Sequence, residues 1–444
     1  MRETGNFFRF IIVSIIVLSG IHTAALSETA DNVVITPLPN EPAAWANNSV
    51  NAVIFRKDPI ASHGDTQYIA YYDETGEVIL GRRTLGTANW DIRRTGYTGN
   101  TKDAHNAICI AVDGAGYLHM AWDHHGHDLN YVRSMAPGSL DLTERLSMTG
   151  KDEERVTYPE FFNLPDGDLL FLYRVGSSGN GRTMLNRYDV EKGAWNIVKH
   201  PLIDGEGLRN AYTNQIAVDS NGGWHISWCW RETGGVQTNH DICYAVTRDG
   251  GRTWQTSGGK TYDLPITEAT AECIVPIPQN SELINHTSMT VTPDGRPVIA
   301  TYWRPEGTTV PQFHAVWRDG GSWKVTQIGR RTTPFSLSGA GTKRIPISRP
   351  KVFADKNGRV IVIFRDEERG FRVSAAVTDR LDGGDWRIMD LSDTDVGLWE
   401  PSYDTALWAR EGIIHLYVHK VGQGDGETLD IVDPQHVKVY EWKP

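Results

Sequence analysis

The sequence predicts an all-β protein folded as a seven-bladed β-propeller. Three observations carry that expectation. One hairpin phrase recurs along the chain, the composition is that of a turn-rich β-protein, and the first and last apolar segments are suited to pair.

The phrase is a short strand, a Gly/Asp/Asn turn and a strongly apolar strand, often followed by a tryptophan. It reads VDGAGYLHMAWDHH at 112–125, LPDGDLLFLYR at 164–174 and VDSNGGWHISWCWR at 218–231. It continues as TPDGRPVIATYWR at 292–304, ADKNGRVIVIFR at 354–365 and AREGIIHLYVHK at 409–420, with a looser first copy, HGDTQYIAYYDETG, at 63–76. The spacing, roughly 45–65 residues, is that of a four-stranded blade. Outer strands are expected to end near Trp90, Trp195, Trp254, Trp323, Trp386 and Trp442, and TRDGGRTW at 247–254 is an Asp-box turn, a hairpin device common in propellers. A lone blade cannot bury both faces, so the copies must stack around an axis. A β-sandwich or β-helix would not call for seven copies of one hairpin.

The chain has 444 residues, 39% hydrophobic, with 44 glycines and 15 tryptophans, which suits a large β-rich core. Its net charge of −11 argues against nucleic acid, so an anionic ligand would need a local cationic patch. Cys109, Cys229, Cys243 and Cys273 are too few for a disulfide scaffold in so long a chain.

VVITPL at 33–38 is placed to pair with VYEW at 439–442 and close the ring. Ahead of it, Arg2 and Arg9 precede an apolar run from Phe10 to Gly20, with small residues at Ala24 and Ala25. That is a signal-peptide pattern, short for a membrane span and with no cysteine near the cut to carry a lipid. The expectation is a signal peptide over 1–26 and a single catalytic propeller domain over 27–444. The product would be secreted or periplasmic, free of the membrane after cleavage, and monomeric.

The repeat also locates a site. In a blade, the innermost strand starts and the second strand ends at the same end of the ring. The starting positions are His105, Tyr158, Tyr212, Asn285/His286, Arg349 and Glu400. The ending positions are His125, Arg174, Arg231, Arg304, Arg365 and His419/Lys420. An acidic protein has thus gathered Arg and His at one end, and Arg suits a carboxylate or sulfate through forked hydrogen bonds. His119, His225 and His415 fall inside second strands and read as wall or core residues, whereas His124 and His127 are loop neighbours of the site.

The densest part is blades two and three, with His105, His125, Tyr158 and Arg174 at the site end. No serine elbow, phosphate loop or evident carboxylate pair accompanies them. Such residues suit β-elimination at a uronic acid. Arg174, helped by a histidine, neutralises the carboxylate and acidifies the C5 proton; a base removes it and an acid protonates the departing O4. Tyr158 can serve as base or acid, His105 is the other acid/base candidate, and His125 can neutralise the carboxylate or share the proton transfer. Asn106, His124, Tyr212, Arg231 and Arg304 are the candidate substrate contacts.

These segments resemble exported propellers with bacterial-neuraminidase-type repeats, a group that includes ulvan lyases and rhamnosyl-glucuronate lyases. The likeness rests on Asp103–Asn106 (DAHN), Asp123–His127 (DHHGH), Thr157–Phe162 (TYPEFF), Tyr173–Gly181 (YRVGSSGNG) and the stretch from WCWRET at 228–233 to TNHDICYAVTRDGGRTW at 238–254. It implies that His105, His125, Tyr158 and Arg174 form the active site. It also implies elimination across a rhamnose-α-1,4-uronate bond in an anionic polysaccharide such as ulvan or rhamnose-capped arabinogalactan. Some relatives hydrolyse the same linkage, which leaves glycoside hydrolase as an alternative, with a non-catalytic carbohydrate-binding propeller as a third reading. A sialidase, suggested by the Asp box, lacks the required order of Arg, Tyr, Glu and Asp. The connection between His125 and Tyr158 is shorter than in long-loop members.

Elimination requires no cofactor. A structural zinc or calcium ion is compatible with the group, and Cys229, His240 and Cys243, with Cys273 or His286, are the zinc candidates by spacing. Buried thiols beside a turn histidine are the plainer reading of the same residues.

Overall fold

The computed structural model describes Met1 and residues 28–30, 32–39, 41–53 and 58–444; apart from Met1, the expected leader lies outside the described residues. Among the described residues seven sheets follow one another around a ring, antiparallel except where Glu28–Thr29 runs parallel beside Arg387–Asp390. Blade one spans Ile60–His63 to Asp91–Thr98, and blade two is built from Ile108–Val112, Leu118–Trp122 and Tyr131–Arg133. Blades three to six begin with the inner strands Val156–Asn163, Asn210–Thr213, Ser288–Val291 and Lys351–Ala354. Blade seven combines Ser402–Tyr403, Ile414–Val418 and Lys438–Trp442 with Val34–Pro37 from the opposite end of the chain. That last pairing runs antiparallel from Val34 opposite Glu441 to Pro37 opposite Lys438, and it closes the ring as the sequence suggested. Among the described residues the one α-helix is Thr405–Glu411, and no helix is long and apolar enough to cross a membrane.

The recurring phrase has a physical basis. Asp73, Asp113, Asp219 and Asp355 each turn one carboxylate oxygen onto the backbone N–H groups two and four residues on. The third residue on is Gly76, Gly116, Gly222 or Gly358, all with φ between 78° and 87°, where a side chain would be strained. In two blades the other oxygen of that aspartate reaches a histidine six residues later. Asp113 meets His119, whose second nitrogen contacts the Tyr131 hydroxyl; Asp219 meets His225, which contacts Tyr244. Both histidines are buried strand residues that tie turn to sheet. His415 is likewise buried, against Gln67.

Trp442 ends its strand as expected, but four other tryptophans lie at the starts of theirs. Trp195 and Trp323 lie in the first two positions of outer strands, and Trp90 and Trp386 immediately precede them. The indole marks the place where the chain turns onto the open flank and must cover the seam between blades. Trp195 does so against Tyr131 and His119 of blade two and Phe171 and Tyr188 of blade three.

Replacing Asp219 removes the acceptor for two turn amides and for His225. Asp219→Ala is expected to cost about 2–4 kcal/mol in urea denaturation. A loss below about 1 kcal/mol would show that the turn forms without it.

Candidate active site

At the end of the ring where inner strands start, the side chains of blades two to four meet. Asp103 leads into the first strand of blade two and accepts from both the backbone N–H and the ring of His105, at 2.9 and 2.7 Å. His125 opens the segment His125–His127, which leaves blade two and pairs with the inner strand of blade three, His125 facing Thr157. Tyr158 follows at a break in strand register, with φ of 54°. It therefore lies within the inner strand, at a bulge, rather than ahead of it. A bulge re-aims a side chain that regular alternation would send elsewhere, and the left-handed backbone of a tyrosine is held there only at some cost in strain.

His105 and His125 stack, with ring centroids 4.1 Å apart and planes within 16°. Both turn Nδ1 to the same carboxylate: Asp103 meets His105 through one oxygen and His125 through the other, the latter at 2.6 Å. An ionised carboxylate only accepts, so each Nδ1 carries hydrogen. Burial would push the Asp103 carboxyl up, but the two histidine bonds hold it well below the usual carboxylate range. Burial also opposes charge on His105, yet the bonds to Asp103 and Glu427 prevail and raise it to about 9. His125 moves the other way: burial and the charges of His105 and Arg174 lower it against the pull of Asp103. At neutral pH the stack holds one imidazolium, His105, and one neutral imidazole, His125.

Tyr158 stands 5.8 Å from the His105 ring and 5.9 Å from the Tyr212 ring, centroid to centroid. Burial, followed by its neighbour Tyr212, raises the Tyr158 hydroxyl well above its ordinary range. Tyr212 is the more acidic of the two. Its burial is outweighed by Arg231 and Arg174 and by the Ser178 hydroxyl, 2.7 Å away. Arg174 lies over the Tyr158 ring at 4.8 Å, and Arg231 over the Tyr212 ring at 5.1 Å. Both guanidiniums are only 6–7% exposed, and neither forms an ion pair with a described residue. Burying a charge without a partner costs several kcal/mol, so two together mark a place prepared for an anion.

The other ring-end residues divide by what already holds them. Arg304 is paired with Glu282 at 2.5 Å and donates to the Asn280 carbonyl, so it is not grouped with Arg174 and Arg231. Arg365 is buried against the carbonyls of Trp399, Ile345 and Pro346. Arg349 and Glu400 pair at 2.7 Å and close the opposite side of the ring. Two of the expected substrate contacts are corrected. Asn106 is fully buried, donating to the Asn100 carbonyl while its backbone oxygen accepts from Tyr72. His124 is also buried, its Nε2 accepting from the Asn130 amide, and burial drives it down to about 3. Each braces the loop from beneath, because the chain on both sides turns inward to reach the sheet. His127 is exposed.

Cys229 and Cys273 are neighbours of Cys243, but among the described residues no three of the zinc candidates bring their donor atoms within 4.8 Å of one another. His240 is held by Glu232 and Asp241, and Cys229 and Cys243 are buried, burial raising both thiols, Cys229 to about 12. Among the described residues the one three-donor group is Asp103, His105 and His125. There the donor atoms already sit at charge-assisted hydrogen-bond distances, and a cation would have to displace both Nδ1 protons.

Sequence reasoning did not assign Ser178 or Glu427 to the site, and it placed His286 at the site end without giving it a role there. His286 packs edge-on against Tyr158 and Tyr212, at 4.3 and 4.9 Å, and bonds the Thr213 carbonyl through Nδ1. Ser178 lies within YRVGSSGNG, so a signal for it was present. That stretch packs so closely on blade four that a side chain at Gly181 would meet Asn210 Oδ1 at 1.8 Å.

A family model described as "BNR repeat-containing family member" matches residues 66–331, more than half of the chain. The chain belongs to this BNR repeat-containing family. Curated relatives include the long isoform of an ulvan lyase from Glaciecola sp. (strain KUL10), 30% identical over 26% of this chain and 15% of that one. Another is the short ulvan lyase isoform from Alteromonas sp. (strain LOR), 26% identical over 31% of this chain and 37% of that one. The chain thus matches about a seventh of the length of the long relatives. Its fold is similar to the crystal structure of polysaccharide lyase Uly1, with a TM-score of 0.65 at 15% identity, covering 94% of this chain and 98% of that one. It is also similar to a PL25 ulvan lyase solved bound to -[GlcA(1-4)Rha3S]-, with a TM-score of 0.67 at 13% identity over 89% and 94%. At such identity the likeness establishes the fold.

If Arg174 awaits an anion, removing it should not weaken the unliganded protein. Arg174→Met is expected to unfold at the same or higher urea concentration than the wild type. A loss beyond about 2 kcal/mol would mean that the guanidinium already has a stabilising partner.

Proposed function

We propose that this protein is a polysaccharide lyase that cleaves rhamnose-α-1,4-uronate linkages of an acidic polysaccharide, such as ulvan, by β-elimination. The observation that carries the reading is the pair of buried, unpaired guanidiniums, Arg174 and Arg231, beside a proton-holding His/His/Asp cluster and two tyrosines. A uronate supplies the missing anion. The ulvan lyase relatives and the similar enzyme solved with a glucuronate–rhamnose sulfate repeat support the same substrate class.

The proton inventory suggests the roles. Arg174 and the His105 imidazolium face the uronate carboxylate, withdrawing charge so that the C5 proton becomes removable. His125, neutral with Nδ1–H held by Asp103, takes that proton on Nε2. The C5–H electron pair becomes the C4–C5 double bond, and the C4–O4 bond breaks. Tyr158, kept protonated by burial, gives its proton to the departing O4. Tyr212 and Arg231 hold the neighbouring anionic part of the chain. No cofactor enters these steps, and the enzyme acts as an exported monomer.

Incubation with ulvan is expected to generate the ultraviolet absorbance of an unsaturated uronate. Tyr158→Phe should lower kcat by about 100-fold or more, the usual contribution of a general acid. Product without that absorbance would replace elimination by hydrolysis, and glycan binding with no product would leave a carbohydrate-binding propeller. The pH profile follows from the same inventory. Activity requires neutral His125, so it falls as pH drops through a value below the ordinary 6.5. It requires protonated His105, so it also falls as pH rises through about 9. A single limb, or a basic limb near 7, would contradict this division of roles.

A further inference from the structure

Glu427 lies in the last blade, far in sequence from the residues discussed above, and no motif announces it. It reaches across the ring closure. One carboxylate oxygen accepts from the Thr342 amide at 2.5 Å and lies 3.0 Å from His105 Nδ1; the other accepts from the Ala104 amide at 2.9 Å. One side chain therefore joins blade seven to the loop before blade six and to the turn that carries His105. The loop that delivers it is fixed on several sides. Gly426 donates to the Thr342 carbonyl, Asp425 accepts from the Arg344 amide, and Gln423 accepts from the Ser49 amide and hydroxyl. Glu427 itself has φ of 67°, a conformation that costs a non-glycine residue energy and persists only where the surroundings impose it.

We infer that Glu427 is a positioning residue for His105: it holds Nδ1 protonated, keeps the ring an imidazolium beside the substrate carboxylate, and aims Nε2 into the cleft. This deepens the lyase reading and rests on it. The titratable and charged groups around His105 include Asp103 and Glu427 on its Nδ1, His125 stacked on its face, Tyr158 beyond its edge, and Tyr212 and Arg174 further along the site. Asp103 gives one oxygen to each histidine, so by itself it favours neither ring as the site of the charge. Glu427 serves His105 alone of the pair, and it is what makes two stacked imidazoles unequal. Losing the second carboxylate lets the protons of the stack redistribute, whereas a merely structural tie would leave histidine titration where it was.

The test reads titration and turnover separately. In the wild type, nitrogen chemical shifts of the histidine rings, with His105 assigned by His105→Gln, are expected to show His105 still protonated at pH 8. A wild-type His105 that is neutral at pH 7 overturns the inference, whether or not any variant folds. In Glu427→Gln, His105 is expected to titrate about one pH unit lower or more, with an unchanged circular dichroism spectrum. The basic limb of kcat on ulvan should move by the same amount. An unmoved His105 titration in a folded Glu427→Gln protein overturns the inference. So does a moved titration with an unmoved basic limb, because His105 would then not act through its charge. If the wild type makes no unsaturated product from any uronate glycan, the lyase reading fails. The ring titrations still decide by themselves whether Glu427 holds the proton on His105.

Discussion

The ring must close, and most of what is distinctive about this molecule follows from that constraint. Each blade buries one face against the blade before it and the other against the blade after it, so seven sheets are stable only if the last meets the first. The pairing of Val34–Pro37 with Lys438–Glu441 supplies the join at the outer edge. At the inner end, the loop carrying Glu427 makes a second connection, reaching both blade two and the segment before blade six. Closure at two radii fixes the ends of the inner strands relative to one another. Groups as far apart in sequence as His105, Tyr158, Tyr212 and His286 can then be held within ring-contact distance.

Once the ring is closed, its charges reveal a division of labour. Most of the buried cations at this end are answered locally: Arg349 by Glu400, Arg331 by Asp366, and Arg365 by backbone carbonyls. Arg174 and Arg231 are set against tyrosine faces instead. A cation–π contact recovers only part of what a guanidinium loses on leaving water. The contrast within one protein separates arginines that build the fold from arginines held for a ligand, a distinction that counting positive residues would miss.

The fold was legible because its repeat is local. An aspartate, a glycine three residues on and an apolar strand specify one turn, and that chemistry recurs in Asp73, Asp113, Asp219 and Asp355 with little dependence on distant contacts. Strand register then placed His105, His125, Tyr158 and Arg174 at one end. It failed where burial decided the outcome. Asn106 and His124 adjoin His105 and His125 in sequence, but their own side chains turn inward, and position along a loop does not show which way a side chain faces. Arg304 and Arg174 hold equivalent repeat positions; Glu282 and the Asn280 carbonyl beside Arg304, and its greater exposure, distinguish the pair. Trp90, Trp195, Trp323 and Trp386 were placed at the wrong ends of their strands because a repeat gives the spacing of a residue and not the seam it covers.

The same limit explains why the two histidines look interchangeable in the sequence and are not. Two imidazoles stacked at 4.1 Å cannot both carry a proton cheaply, since like charges at that distance repel strongly wherever water is scarce. A shared aspartate makes one protonated ring favourable without choosing which ring it is. The choice falls to differences in surroundings: His105 meets a second carboxylate, which outweighs its burial, whereas among the described residues His125 has no second carboxylate and faces the charges of His105 and Arg174. That asymmetry turns a symmetric pair into one cation and one base. It depends on Glu427, which lies at the other end of the chain and reaches the site only because the ring is closed.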